Sequence, residues 1–201
     1  MTAPAYSAIS SYSRVQLLGL LQLRAKRTIA ELCAATGLHA NTVREHLHRL
    51  KEGGYIVSET EHRTTRGRPR VLYSAAGTGA VSSPVARRKA REAAHRGDLM
   101  RRVMPWAESG ELPADALHQL DALTDDLVSG GFDPIVDEVE LTVDLSPCKN
   151  AAAQAPHREA LCAAHLGIMQ SVLTEAGGPL SIGGMRASCD PSQCVVLLSR
   201  R

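Results

Sequence analysis

Cys148, Cys162, Cys189 and Cys194 all lie in the last 54 residues, and His165 stands three places after Cys162. Thiolates are soft donors and imidazole is a borderline one, so this set could hold an iron–sulphur cluster or a zinc ion. Cys162 and His165 share REALCAAHLGIMQ, where a spacing of three puts both side chains on one face of a helix. Cys148 falls in LSPCKN, just past an alternating apolar and polar run. Cys189 and Cys194 bracket the turn Asp190-Pro191-Ser192-Gln193. The spacing is neither that of a zinc ribbon, with its two C-x-x-C knuckles, nor that of a ferredoxin. From residue types alone, shared ligation and unrelated reduced core cysteines beside a surface histidine stand level. Cys162 with His165 also has the outline of a thiol–base pair. No recognisable third group or oxyanion-forming loop accompanies it, so a Cys/His enzyme is the remote alternative and no enzyme is expected.

The elements that must position these groups follow from periodicity. Val139, Leu141, Val143 and Leu145 alternate with Glu140, Thr142 and Asp144, which reads as one half-buried strand. A helix is expected from about His157 to Glu175, then short strands over Ile182–Ser188 and Val195–Ser199. The result is a small α+β unit, one helix against a three-stranded sheet. Upstream, helical patterns run from Ala86 to Val103 and from Pro113 to about Leu127, the latter closed by Gly130-Gly131.

The N-terminal part is organised differently. Val15, Leu18, Leu20 and Leu21 mark a helix over Ser13–Leu23. Thr28-Ile-Ala-Glu31 is a capping-box pattern opening a second helix, which Gly37 ends after Leu32 and Ala35 face inward. A third helix from about His39 to Glu52 carries the stripe Val43, Leu47, Leu50, and Gly53-Gly54 stops it. Two strand-like runs, Tyr55–Glu59 and Val71–Ala75, flank the basic tip HRTTRGRPR. Helix, capped helix, turn, helix and basic hairpin is the winged helix-turn-helix layout.

Charge and composition point the same way. Through residue 104 there are 18 Lys/Arg against 7 Asp/Glu, and from residue 105 onward 5 against 14, so a +11 half precedes a −9 half. A basic module joined to an acidic one fits a polyanion binder that carries a second function. Aromatic residues are only 3% of the chain, too few for a protein that stacks single-stranded bases. No apolar run reaches the ~20 residues of a membrane span. MTAPAYSAISSYS lacks a basic segment followed by an apolar run, so no secretory signal and a cytoplasmic location are expected. If Val43, Leu47 and Leu50 face the core, then Asn41, Arg44, Glu45 and His48 face outward, where a major groove can be read. Thr28 and Thr42, near helix N-termini, suit phosphate oxygens. Arg66, Arg68 and Arg70 suit phosphates or a narrow minor groove. Cys33, between Leu32 and Ala34, reads as a small buried hydrophobe.

ELCAATGLHANTVREHLHRLKEGGYIV followed by RGRPRVLY resembles the ArsR-like winged-helix transcriptional regulators over most of residues 11–76. The resemblance implies a regulator that binds double-stranded operator DNA. The C-terminal half resembles that of ArsR-like regulators related to the Suf-operon repressor. These carry a cysteine after a strand, a "VC..HLG" helix, and a late cysteine after an acidic-Pro-Ser turn. The corresponding residues are Cys148, then Cys162 with His165 and Gly167, then Cys194 after Asp190-Pro191-Ser192. Lys149 stands where the pattern has proline, and Cys189 is additional. The resemblance implies a [4Fe-4S] cluster on Cys148, Cys162 and Cys194, with His165 as fourth ligand and Cys189 as its rival. Operator binding would then follow redox or iron–sulphur status. A zinc site, or an organic effector with no metal, is the alternative.

The expected fold is α+β throughout. A tail (1–10) leads to the winged helix-turn-helix (11–80), then linker and dimerisation helices (81–131), then a cysteine-containing sensor (132–201). A homodimer is expected, since paired modules can reach half-sites about one helical turn apart, ~34 Å.

Overall fold

The structure is a computed structural model that describes residues 11–61, 69–77, 81–104, 112–148, 155–186, 190 and 192–200, the side chains of 155–157 excepted. The chain divides into two compact units, Met1–Ala86 and Arg87–Arg201.

In the first unit, α1 (Tyr12–Leu23), α2 (Ile29–Thr36) and α3 (Ala40–Glu52) precede an antiparallel hairpin, β1 (Ile56–Thr60) and β2 (Val71–Ala75). The core is aliphatic: Val15, Leu17, Leu18 and Leu21 from α1, Leu32 from α2, and Val43, Leu47 and Leu50 from α3. Each fully buried leucine contributes about 1.5–3 kcal/mol over an exposed one. The Thr28–Glu31 capping box forms in full, and Gly37 ends α2 at φ 70°, a backbone that suits glycine. Three expectations shift. Leu17 takes the buried position on α1, and Leu20 is only half-buried. Ala35 is exposed, because a helix of eight residues has room for one inward contact, at Leu32. Cys33 is half-buried on the same short helix rather than a core residue.

The loop between α1 and α2 adds a third strand-like rung to the hairpin. Arg27 and Tyr73 exchange backbone hydrogen bonds of 3.0 and 2.8 Å, and the Lys26 amide donates to Ser74 Oγ at 3.0 Å. The hairpin base is therefore tied to the helices on the side away from its tip.

The second unit holds most of α4 (Pro84–Val103), then α5 (Ala114–Ser129), β3 (Ile135–Asp137), β4 (Thr142–Asp144), α6 (Ala155–Ala176), β5 (Leu180–Met185) and β6 (Val195–Arg200). The sheet has four strands in the order β3-β4-β6-β5, all antiparallel, not three. The extra strand comes from the run expected to be one strand. Asp137 Oδ1 accepts from the amides of Val139 and Glu140, and Leu141 adopts φ 50°. The chain therefore reverses there, leaving Val139 82% exposed while Val143 and Leu145 enter the core.

Two helices, not one, cover the sheet. Leu120, Leu123 and Leu127 of α5 pack with Met169 and Leu173 of α6 and with Val143, Leu145, Val196 and Leu198. One buried polar residue pins this core. Gln119 Nε2 donates to the carbonyls of Leu173 at 2.8 Å and Leu180 at 3.0 Å, while its Oε1 accepts from the Leu180 amide at 2.7 Å.

Within this unit α4 is held by small residues and charges. Ala90 and Ala93 meet Ala122 with Val172 and Ala176. Arg96 pairs with Asp125 at 2.6 Å, and Arg101 bridges Asp98 and Asp121, the latter also at 2.6 Å. His118 joins Asp98 at 3.1 Å. A Cβ at Gly97 would fall onto the Asp121 carboxylate, so any larger residue must push Asp121 off its pair with Arg101.

Burial raises the Asp126 carboxyl from 3.8 to about 6, against the pull of Lys89, with Asp125 adding to the rise. Because the folded value lies above the unfolded one, this group favours folding only at low pH, and that favour disappears as pH rises through about 6. Asp126→Asn is therefore expected to stabilise the second unit by about 1–3 kcal/mol at pH 7 and by almost nothing at pH 4. Urea melts of both proteins at the two pH values check this; equal gains at both would assign the effect to something other than charge burial.

Candidate functional site

Two surfaces carry the chemistry, one in each unit. In the first, α3 follows the short α2 through the Gly37 turn. His39 caps α3, its ring accepting from the Asn41 amide at 3.3 Å. The inward stripe of α3 forms as the spacing requires, leaving Asn41, Thr42, Arg44, Glu45 and His48 exposed. These groups bond along their own helix. Arg44 donates to Asn41 Oδ1 at 2.7 Å, Arg49 donates to Glu45 at 2.8 Å, and His48 meets Glu52 at 3.4 Å. The Arg44–Asn41 pair holds a bidentate donor beside an amide at the start of the helix.

Thr28 lies at the α2 N-terminus with its hydroxyl engaged by the cap, accepting from the Glu31 amide and donating to Glu31 Oε2 at 2.8 Å. Arg70 is exposed at the tip end of the hairpin ladder, where its carbonyl accepts from the Glu61 amide. Arg66 and Arg68 lie outside the described residues.

A residue not singled out from the sequence supports this surface from behind. Arg14 of α1 is 6% exposed. Burial lowers its pKa first and the charge of Arg49 second, with Glu45 opposing. It thus lies close to the side chains of the second and third turns of α3. The signal was present, since Arg14 shares the helical stripe of Leu17, Leu18 and Leu21.

In the second unit, Cys148, Cys162, His165 and Cys194 line one pocket, with Phe132 and Met185 among its walls. Crossed bonds hold the two loops that carry Cys148 and Cys194. The Leu145 amide donates to the Cys194 carbonyl at 2.8 Å, the Cys194 amide to Ser146 Oγ at 3.0 Å, and the Cys148 amide to the Ser192 carbonyl at 2.6 Å. Asp190 Oδ1 in turn accepts from the Ser192 amide and hydroxyl at 2.8 and 2.7 Å, shaping the turn before Cys194. Cys162 and His165 enter from α6, and the His165 ring stacks on Phe132 with centroids 4.6 Å apart.

Burial sets the protonation of these groups. It pushes the His165 imidazole down to about 4, so the ring is neutral with a lone pair to offer. It pushes the Cys194 thiol up to about 12, with Cys148 and then Cys162 adding to the rise. Cys162 is raised by burial first and Cys148 second. These mutual effects put the three sulphurs in one neighbourhood. Among the described residues, no three His, Cys, Asp or Glu side chains are arranged to hold a single metal ion. Cys189 lies outside the described residues. Phe132 and Met185 gave no metal-ligand pattern in the sequence; only Gly130-Gly131, next to Phe132, marked the region.

No helix among the described residues is long and apolar enough to cross a membrane. No curated protein matches the chain. Residues 11–58 match the family described as bacterial regulatory protein, arsR family. That span runs from the start of α1 into β1 and contains the whole of α3 with its exposed Asn41–Arg44 pair. Residues 11–58 are therefore a helix-turn-helix region similar to that of the bacterial arsR regulatory family.

Proposed function

We propose that the chain is an operator-binding regulator whose second unit holds an iron–sulphur cluster on Cys148, Cys162 and Cys194 with His165 as fourth ligand. The observation that carries this reading is the meeting of three thiols and one neutral imidazole in a single pocket. The donor set suits the cluster. A lone zinc ion needs four donors converging within about 2.0–2.3 Å of one point. A cluster offers several irons, each taking its own donor, and so accepts a more spread set. When bound, it would supply a tie sensitive to iron supply and oxidation.

The chain's own groups prepare that site. Phe132 fixes the His165 ring plane, and burial keeps the ring unprotonated. The Ser146 and Ser192 bonds set the distance between the Cys148 and Cys194 segments. Cys194 is protonated in the free protein and must give up its proton to ligate, so loading is favoured by rising pH. Anaerobic purification followed by a visible spectrum with iron and sulphide counts tests the reading. The expected result is a thiolate-to-iron band with about four irons and four sulphides per chain. Stoichiometric zinc without a chromophore would transfer the site to the zinc alternative.

On the DNA side, two copies are proposed to act together. The exposed apolar row Leu99, Met100, Val103 and Met104 at the end of α4 supports a partner contact there. Arg44→Ala is expected to cost about 1–3 kcal/mol on the true operator and to relax the choice at one base pair. Fluorescence anisotropy against operator and random duplex measures it. Equal losses on both would make Arg44 a phosphate contact. The wild-type log–log salt slope should contain about −0.9 for each phosphate neutralised.

A further inference from the structure

Resting on the reading that the cysteines form one site, we propose that in the cluster-free protein Cys148 and Cys194 are a dithiol that a hydroperoxide oxidises to a disulfide. Both thiols line the same pocket, Cys148 from the segment after β4 and Cys194 from the turn before β6. The strands and turns behind them are held in register by three bonds, Leu145 to Cys194, Cys194 to Ser146 and Cys148 to Ser192. A disulfide forms without backbone movement only between cysteines already held close with suitably directed side chains. The paired loops meet the first condition, and the pocket into which both side chains face meets the second. Cys162 arrives from a separate helix, with no backbone bond linking it to either loop among those of the described residues.

The chemistry balances with one oxidant. Cys148 is half-buried and Cys194 is buried, so Cys148 is the thiol that peroxide reaches. Its sulphur, as thiolate, attacks one peroxide oxygen; the O–O bond breaks, one water leaves, and Cys148 becomes a sulfenic acid. The Cys194 sulphur then displaces the hydroxyl from that sulphur, its proton leaving with the hydroxyl as a second water. Two thiols lose two electrons, and one hydrogen peroxide becomes two waters. Such a bond would fasten the same two loops that the cluster fastens. The site would then have a cluster-bound state, an open dithiol state and a locked disulfide state.

The full-length protein, reduced and freed of iron, is treated with hydrogen peroxide, blocked with an alkylating agent, digested with trypsin and mapped by mass spectrometry. Cys189 and Cys194 share the tryptic peptide ASCDPSQCVVLLSR, so the mapping uses Cys189→Ser beside wild type. The expected result is a loss of two thiols per chain, reversed by dithiothreitol. A cross-linked peptide should join Cys148 to Cys194 in both proteins, and it should be absent from Cys148→Ser. A cross-link through Cys162, or sulfinic acid on Cys148 without a cross-link, overturns the proposal. So does an unchanged thiol count. A parallel sample is reconstituted anaerobically with ferrous iron and sulphide. A cluster without the disulfide sinks this inference alone; a disulfide without a cluster upholds it and sinks the cluster reading.

Discussion

Replacing Gln119 with alanine is expected to lower the stability of the second unit by about 3–5 kcal/mol, one of the largest single-residue effects in the chain. The side chain is 1% exposed and serves three backbone groups on two elements. Truncation leaves the Leu180 amide and carbonyl without their partner inside the core and opens a cavity between α5, α6 and β5. The Leu173 carbonyl suffers less, since it also accepts from the Gly177 amide at 3.2 Å. Gln119→Leu separates the two costs, because it nearly keeps the volume and loses only the bonds. Gly178→Ala should act at the same place, since a Cβ there would approach Gln119 Oε1 to 2.6 Å and the Asp115 carbonyl to 2.9 Å at a backbone φ of 149°. Urea unfolding followed by circular dichroism measures all three. A loss under about 1 kcal/mol for Gln119→Ala would mean that water replaces the amide.

The second large effect concerns the proposed cluster. Cys148→Ser, Cys162→Ser and Cys194→Ser are each expected to abolish the visible thiolate-to-iron absorption and to alter operator affinity. Cys33→Ala should leave the spectrum unchanged, because that residue belongs to α2 of the first unit. The fourth position is decided by comparing His165→Ala with Cys189→Ala for cluster lifetime in air. His165 shares the pocket and is held neutral by burial, so its loss should shorten that lifetime several-fold while Cys189→Ala should not. The opposite result would make the ligand set four cysteines. If neither substitution matters, the fourth corner belongs to solvent or a small exogenous ligand.

The parts legible in the sequence are those where one local rule decides. The Thr28–Glu31 box and the Val43, Leu47, Leu50 stripe each fix a helix, because capping and helical period act within a few residues. The run from Val139 to Leu145 shows where such rules fail. Strict alternation is equally compatible with one strand and with a turn entering a strand, and the deciding bonds come from Asp137, outside the run. The thiols and imidazole were legible by type. Their walls were not, since Phe132 and Met185 reach the pocket only through the folding of α5 and β5. The role of α5 was likewise hidden. Its leucines gave an apolar stripe without saying that the stripe would enter the core of the second unit.

The attachment of α4 has a consequence for how the protein comes apart. Alanines remove little apolar area from water, and the charges that add to them are weakened by salt. Lifting α4 from α5 therefore leaves the leucine core of the second unit closed, and it costs far less than melting that core. Amide hydrogens facing this seam would exchange by local opening, at a rate that climbs with ionic strength, while those behind Gln119 wait for global unfolding. Within the second unit, α4 is thus fastened by a latch weaker than the leucine core beside it.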